Sequence, residues 1–194
     1  MSDLYVILEE WAIEDGNYPL LNKNDKLNIA FEMEFYDFEI VKKEEYLFEN
    51  IKYSEYNFCG KIIYKYSNII IVDTGIMKFY VESKNNLKIG KFIKGNGKLL
   101  IDCYVWAENI NKYKNCPDIF YNVLIKKLFS VKISEKFIKR FDGGISYPSS
   151  LKSNDINEKD IIEIEKMKGN EKYDMFFLLK LEQIDEEIKR TFNL

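Results

Sequence analysis

Lys26-Leu27-Asn28-Ile29-Ala30-Phe31-Glu32-Met33-Glu34-Phe35 is the stretch on which the fold turns. Its apolar residues, Leu27, Ile29, Phe31, Met33 and Phe35, recur at every second position, separated by Lys26, Asn28, Ala30, Glu32 and Glu34. A period of two is that of a pleated strand, whose successive side chains point to opposite faces. One face of this strand is apolar and the other mainly polar. Its register is strongly specified, because a slip of one residue would turn Phe31 and Phe35 to water.

The same period extends outward. Residues 4–13 read as a strand, and Asp15-Gly16-Asn17-Tyr18-Pro19 supplies turn chemistry after it. Residues 41–56 are acidic and irregular, a short helix or a long loop. Residues 60–66 and 68–73 form a tight hairpin through Ser67-Asn68, and Thr74-Gly75 turns into residues 76–82. Residues 87–94 and 98–106 form another hairpin across Gly95-Asn96-Gly97, since Gly and Asn tolerate positive φ. In its second arm Leu99, Ile101, Cys103 and Val105 share one face, and Leu100, Asp102, Tyr104 and Trp106 the other. Residues 119–133 show helical spacing at Phe120, Val123, Leu124, Lys127 and Leu128, but their β-branched and aromatic content favours a long strand. Alternation returns at residues 160–167 and 175–184. Residues 185–192 suit one or two helical turns, acidic at the start and basic at the end.

The pattern amounts to roughly nine or ten strands, which marks a mainly β chain folded as an antiparallel barrel or sandwich with few short helices. Between residues 26 and 108, a long first strand, two hairpins and glycines at the bends resemble the small OB-type barrel. That resemblance implies an OB-like barrel over residues 1–110 with a β-rich extension over residues 111–194 packed on it, or one domain spanning both. It carries no function with it, because one fold hosts many.

Hydrophobic residues make up 46% of the 194, with 14 Tyr and 14 Phe, enough to fill a sizeable core. The start, Met1-Ser2-Asp3-Leu4-Tyr5, has neither the basic nor the apolar part of a signal peptide. The longest apolar runs are of the length of residues 69–72, far short of the roughly 20 residues that span a bilayer. The three cysteines, Cys59, Cys103 and Cys116, form no CxxC pair, and their odd number leaves one unpaired within the chain. A reducing compartment, the cytoplasm, is therefore expected, with no membrane contact.

Histidine is absent. Ser-His-Asp and Cys-His nucleophilic arrangements and His-based zinc sites are thereby excluded. No glycine-rich phosphate loop occurs, and no metal or cofactor is implied. Carboxylate, lysine or tyrosine chemistry remains open, as does an oxygen-ligated Mg²⁺ or Ca²⁺. Ile70-Ile71-Val72-Asp73-Thr74-Gly75 resembles the aspartic-protease motif, in which one carboxyl acts as base and a second as acid. Ile76 departs from the small residue that follows in that family, and no later apolar-apolar-Gly segment completes the pattern. A turn with Gly75 at an unusual φ accounts for the triplet.

Charge is uneven. Residues 1–60 hold 5 Lys and 14 Asp/Glu, and residues 61–133 hold 13 Lys and 5 Asp/Glu. With Met77, Phe79 and Val81 facing inward, the basic half displays Lys61, Lys65, Lys78, Tyr80, Lys98, Tyr104 and Trp106 outward, while Ile62, Tyr64 and Tyr66 point in. Lysines beside flat rings are what a single-stranded nucleic acid needs, charge for phosphates and rings for stacking. Covering by the strand at residues 175–184 is the competing fate of Tyr104 and Trp106, and the net charge of −3 works against phosphate binding. The acidic part sets Asp37, Glu39, Glu44, Glu45 and Glu49 beside Tyr36 and Phe38, which suits an inhibitor or immunity-type protein that neutralises a basic partner. The expected function is thus that of a non-catalytic binding protein, for single-stranded nucleic acid or for another protein. The oligomeric state is not encoded in any recognisable signal.

Overall fold

Alternation at residues 26–35 builds two consecutive strands, not one, and they pair with different neighbours. The computed structural model describes residues 4–83, 87–102, 114–133, 139–141, 144–146, 152–168 and 175–189. In chain order the strands are β1 (Leu4–Leu8), β2 (Lys26–Ile29), β3 (Phe31–Val41), β4 (Leu47–Lys52), β5 (Glu55–Tyr66), β6 (Ile69–Asp73), β7 (Lys78–Glu82), β8 (Phe92–Ile101), β9 (Tyr121–Lys132), β10 (Lys139–Phe141), β11 (Gly144–Ser146), β12 (Ile161–Ile164) and β13 (Met175–Gln183). A five-residue helix, α1 (Glu10–Glu14), follows β1. The division within residues 26–35 falls at Ala30. Before it β2 lies against β9, and after it β3 lies against β8. Ala30 is small and fully buried, and its carbonyl accepts the amide of Asp102 at 3.0 Å, which holds the changeover in place.

The chain is mainly β. Eleven strands join one sheet, and β10 with β11 forms a separate pair. The sheet runs β12-β9-β13-β1-β8-β3-β7-β6-β5-β4, and β5 also pairs with β8. That last pairing matters, because β8, β3, β7, β6 and β5 then form a closed circuit in which each strand has two neighbours from the same set. The circuit surrounds the main core, to which β3 gives Phe31, β5 Phe58, β6 Val72, β7 Phe79 and β8 Ile93. Phe58 stacks on Phe35 at 4.8 Å and meets Phe79 edge-on at 5.7 Å, contacts worth about 0.5–1.5 kcal/mol each beyond the area they bury. The Tyr56 hydroxyl ties β1 to the circuit by accepting the Tyr5 amide at 2.7 Å and donating to the Tyr5 carbonyl at 3.0 Å.

Several expectations need correction. Gly95-Asn96-Gly97 turns no hairpin. It lies inside β8, which continues to Ile101 with β3 along one edge and β5 along the other. Neither glycine has positive φ. A Cβ at Gly95 would fall on the Asp37 carbonyl and the backbone of Phe38, and one at Gly97 on the Glu34 carbonyl. These glycines let strands approach closely where β3 bulges between Phe35 and Asp37. The actual turn precedes the strand, where Gly90 takes φ +86° and the Lys91 amide bonds the Lys88 carbonyl.

Residues 4–13 do not form a single strand either. β1 stops at Leu8 and α1 follows, with Glu10 in its first turn, where a carboxylate suits the positive end of the helix, and Gly16 at φ +77° beyond it. Residues 41–56 are not a helix or a long loop, for they contain β4 and the start of β5. Phe48 of β4 stacks on Tyr56 of β5 at 4.5 Å, and Tyr53 turns the chain at φ +49°. Beyond β13 the expected helical turns are missing from residues 185–189. The Ile184 amide bonds the Asn122 carbonyl at 2.9 Å and Glu186 pairs with Lys26, and the chain bends at Asp185 and Glu186 without forming a helical turn. Among the described residues no helix is long and apolar enough to cross a membrane.

Candidate functional site

The basic, aromatic side of the circuit is built on β5, β6 and β7. Lys61, Asp73 and Lys78 lie directly across from one another in register, while the Asp73 carboxylate accepts the Gly75 amide at 2.8 Å. The next row is Tyr64, Ile71 and Tyr80. A bulge between Ile62 and Tyr64 brings this about. It reverses the alternation, so Tyr64 turns outward and Lys65 falls opposite Ile70, on the side of the main core. The Lys65 ammonium there donates to the Leu87 carbonyl at 2.9 Å. Tyr66, expected inside, is 47% exposed.

Tyr80 was expected on an open face and is fully buried. Its cover is the segment before β9. Ile119 joins Ile69, Ile71 and Tyr80 in one buried cluster, with Cys116 and Phe120 packed against it. The Tyr64 hydroxyl donates to the Lys114 carbonyl at 3.2 Å. Lys98 belongs elsewhere, on the outer side of β3, β8 and β5, where Glu34 pairs with it at 2.7 Å and only 12% of its side chain is exposed. Tyr104 and Trp106 lie outside the described residues, as do Cys103 and Val105.

The acidic candidates fare differently. Where β3, β8, β5 and β4 lie side by side, the register sets Asp37 beside Asn96, Asn57 and Glu49 in one cross-strand row. The adjacent row is Glu39, Lys94, Cys59 and Leu47. Residues opposite each other in a sheet share a face. Asp37, Asn57 and Asn96 of the first row and Glu39, Lys94 and Leu47 of the second line a polar groove of about 540 Å³. Other acids on these sheets are matched by lysines, Glu34 with Lys98, Glu163 with Lys127 and Glu182 with Lys126. The side chains of Asp37, Glu39, Glu49, Asn57, Lys94 and Asn96 make no hydrogen bond or ion pair among the described residues.

Tyr36 and Phe38 do not join this face. The Tyr36 hydroxyl donates to Glu55 at 3.0 Å, with the Lys152 ammonium 5.2 Å from its ring, and Phe38 packs on Phe35 at 4.9 Å. Glu44 and Glu45 stand in the exposed loop before β4, where Lys43 pairs with Glu45 at 2.9 Å and holds its carboxyl below the usual value. Asp73-Thr74-Gly75 is a turn. Gly75 has φ +77°, its amide donates to the Asp73 carboxylate at 2.8 Å, and Thr74 hydrogen-bonds both ways with Met77.

One constellation was not foreseen. The Tyr80 hydroxyl lies 2.9 Å from Oε2 of Glu32 and 2.8 Å from Oδ1 of Asp102, and the Asp102 carbonyl accepts the Tyr18 hydroxyl at 2.8 Å. Desolvation pushes the Glu32 carboxyl up to about 7. The hydrogen bond from Tyr80 opposes that shift, and the charges of Asp102, Glu82 and Glu34 add to it. Burial likewise raises the Tyr80 phenol well above its usual 10. Glu32 and Tyr80 occupy the polar phase of β3 and β7, and Asp102 continues that phase just beyond the end of β8. That phase was legible, but its burial depends on the distant segment at residues 114–120.

Comparison with protein-family models, with curated proteins and with solved structures gives no match.

Proposed function

We propose that this chain is a non-catalytic binding protein of the inhibitor or immunity type, built on an OB-like barrel, which docks a cationic partner protein in the groove between β3 and β4. The closed circuit of β8, β3, β7, β6 and β5 supports the barrel. The single observation that carries the function is the set of uncommitted polar side chains on one sheet face, Asp37, Glu39 and Glu49 with Asn57 and Asn96 among them. Unpaired carboxylates on a groove steer an oppositely charged surface and then hold it, and the amides add hydrogen bonds that fix orientation.

Single-stranded nucleic acid is the poorer fit. Tyr80 offers no ring for stacking, Lys98 is paired, and Lys61 and Lys78 have an acidic residue, Asp73, between them in register. The deciding experiment compares the wild type with the Asp37→Lys, Glu39→Lys, Glu49→Lys variant in co-purification from cells. A single protein retained in stoichiometric amount by the wild type, lost on charge reversal and weakened by salt, is the expected result. Retention unchanged by the three substitutions would refute the groove. Salt-sensitive binding of short oligonucleotides by wild type and variant alike would favour nucleic acid instead.

A further inference from the structure

β3 meets β7 only at Glu32, so its later part, residues 37–41, pairs with β8 on one side and, among the described residues, with no strand on the other. The backbone phase of the sheet shows which groups this leaves over. Bonding positions alternate along an antiparallel strand. The Ile62 amide donates to the Lys91 carbonyl at 2.8 Å and the Leu99 amide to the Ser54 carbonyl at 2.9 Å, so odd-numbered positions along β8 bond towards β5. Even-numbered ones bond towards β3, as the Asp102 amide does to the Ala30 carbonyl at 3.0 Å. Phe92, Lys94 and Asn96 thus take up the backbone of Val41, Glu39 and Asp37. The N–H and C=O groups of Phe38 and Ile40 point off the sheet. Natural edges are blunted by lysine, by proline or by being short. β3 is 11 residues long and contains neither lysine nor proline.

We propose that this open edge accepts an extended segment of the cationic partner as an added antiparallel strand, its basic side chains meeting Asp37 and Glu39 and its intervening apolar ones covering Phe38 and Ile40. The inference rests on the proposed cationic partner and names the form in which it docks. Main-chain bonds to an edge supply affinity, and alternate side chains supply selectivity. Residues opposite each other in the new pair share a face, so a segment alternating basic and apolar residues matches both faces of β3 at once. On the groove face stand the two acids, two positions apart. On the other face Phe38 packs on Phe35, and Ile40, across from the buried Ile93, is 56% exposed. An added strand covers that side chain, which β8 leaves open. A second copy of this chain is the wrong occupant. In the register that pairs the whole open run with itself, Glu39 falls opposite its own counterpart, and one step aside Asp37 falls opposite Glu39. Like charges directly opposed oppose pairing.

Nuclear magnetic resonance of the ¹⁵N-labelled full chain tests it, with short capped peptides as probes at up to about 1 mM. One peptide alternates lysine and valine, and a second has glutamate in place of lysine. Two more are the lysine peptide N-methylated on its valine amides or on its lysine amides. In the proposed pairing the valines lie opposite Phe38 and Ile40, and their amides make the bonds. The lysine peptide should therefore shift the Phe38 and Ile40 amides and slow their exchange with solvent. Methylation of the valine amides should weaken binding at least about tenfold, methylation of the lysine amides should leave it within about twofold, and the glutamate peptide should not bind. Shifts at Asp37, Glu39 and Asn96 that both methylated peptides reproduce would overturn strand addition and leave the cationic partner standing. Equal binding of the glutamate and lysine peptides would overturn the charge match, and the cationic partner with it. Shifts of Phe38 and Ile40 that grow with protein concentration in the absence of peptide would assign the edge to a second copy and overturn the proposal. No shift with any peptide overturns it as well, while the co-purification experiment still decides the groove.

Discussion

Tyr80 shows how far a single position can be read and where the reading stops. Its phase on β7 was right, opposite Phe79 and Val81, and those two do point into the main core. Facing away from the main core is not facing water here. The outside of the circuit at Tyr80 is the inside of a second cluster, closed by Ile119 from a segment nearly 40 residues later. No local pattern around Tyr80 carries that information. The buried hydroxyl now has a measurable consequence. Tyr80→Phe keeps the ring and deletes the hydroxyl that lies within hydrogen-bond reach of both Glu32 and Asp102. Loss of a buried hydrogen bond of this kind costs about 1–3 kcal/mol. Urea denaturation at neutral pH should show that loss as a lower midpoint with an unchanged slope. A change below about 0.5 kcal/mol, the range of ordinary surface substitutions, would mean that the hydroxyl does not bridge the two acids.

At the scale of elements, most strands were legible and their partners were not. The hairpin of β5 and β6, the turn at Thr74-Gly75 and the strand β9 emerge where alternation and turn residues place them, because those signals are local. Gly95-Asn96-Gly97 was misread because glycine serves two purposes that look alike in sequence. It permits positive φ, and it permits another backbone to come close. Only the position of β3 distinguishes them, and β3 lies more than 50 residues earlier. The acidic face was half legible for a related reason. The spacing of Asp37 and Glu39 on β3 was visible, but their neighbours Asn57, Lys94 and Asn96 arrive only through pairing. Substitutions along β8 separate the two roles of glycine. Gly95→Ala forces a methyl group onto the Asp37 carbonyl and should cost about 1–3 kcal/mol by overpacking. Asn96→Ala, on the groove face between them, should stay within about 0.5 kcal/mol. A tight turn would give the reverse, with the central residue sensitive and its flanks tolerant. Thermal melts of the two variants settle the question.

Across the whole molecule, the decisive feature is where the end of the chain lies. β13 is inserted between β9 and β1, pairing with every residue of β1 from Leu4 to Leu8. The sheet therefore passes without interruption from the C-terminal strands to the N-terminal one and on, through β8, into the circuit. The main core follows it, since Val123, Ile125, Phe177 and Leu179 lie in the same buried cluster as Phe31 and Phe58. Composition offers no sign of this closure, because a strand's partner is not written in its own alternation. It bears directly on whether residues 1–110 stand alone as an OB-like barrel. In that fragment the circuit keeps all five of its strands, but β1 and β2 lose their antiparallel partners and the apolar side chains beneath β13 meet water. Each large side chain so exposed forgoes about 1.5–3 kcal/mol, and four of them approach the entire stability of a typical domain. We therefore expect the fragment comprising residues 1–110 to lack a cooperative thermal transition and to bind hydrophobic dyes, and the full chain to melt in one step. Adding a separate polypeptide of residues 111–194 should restore the transition, since the missing strands then return to an edge already shaped for them. A fragment that melts sharply unaided, at a temperature near that of the full chain, would show that the circuit is self-sufficient and that β13 only leans on it.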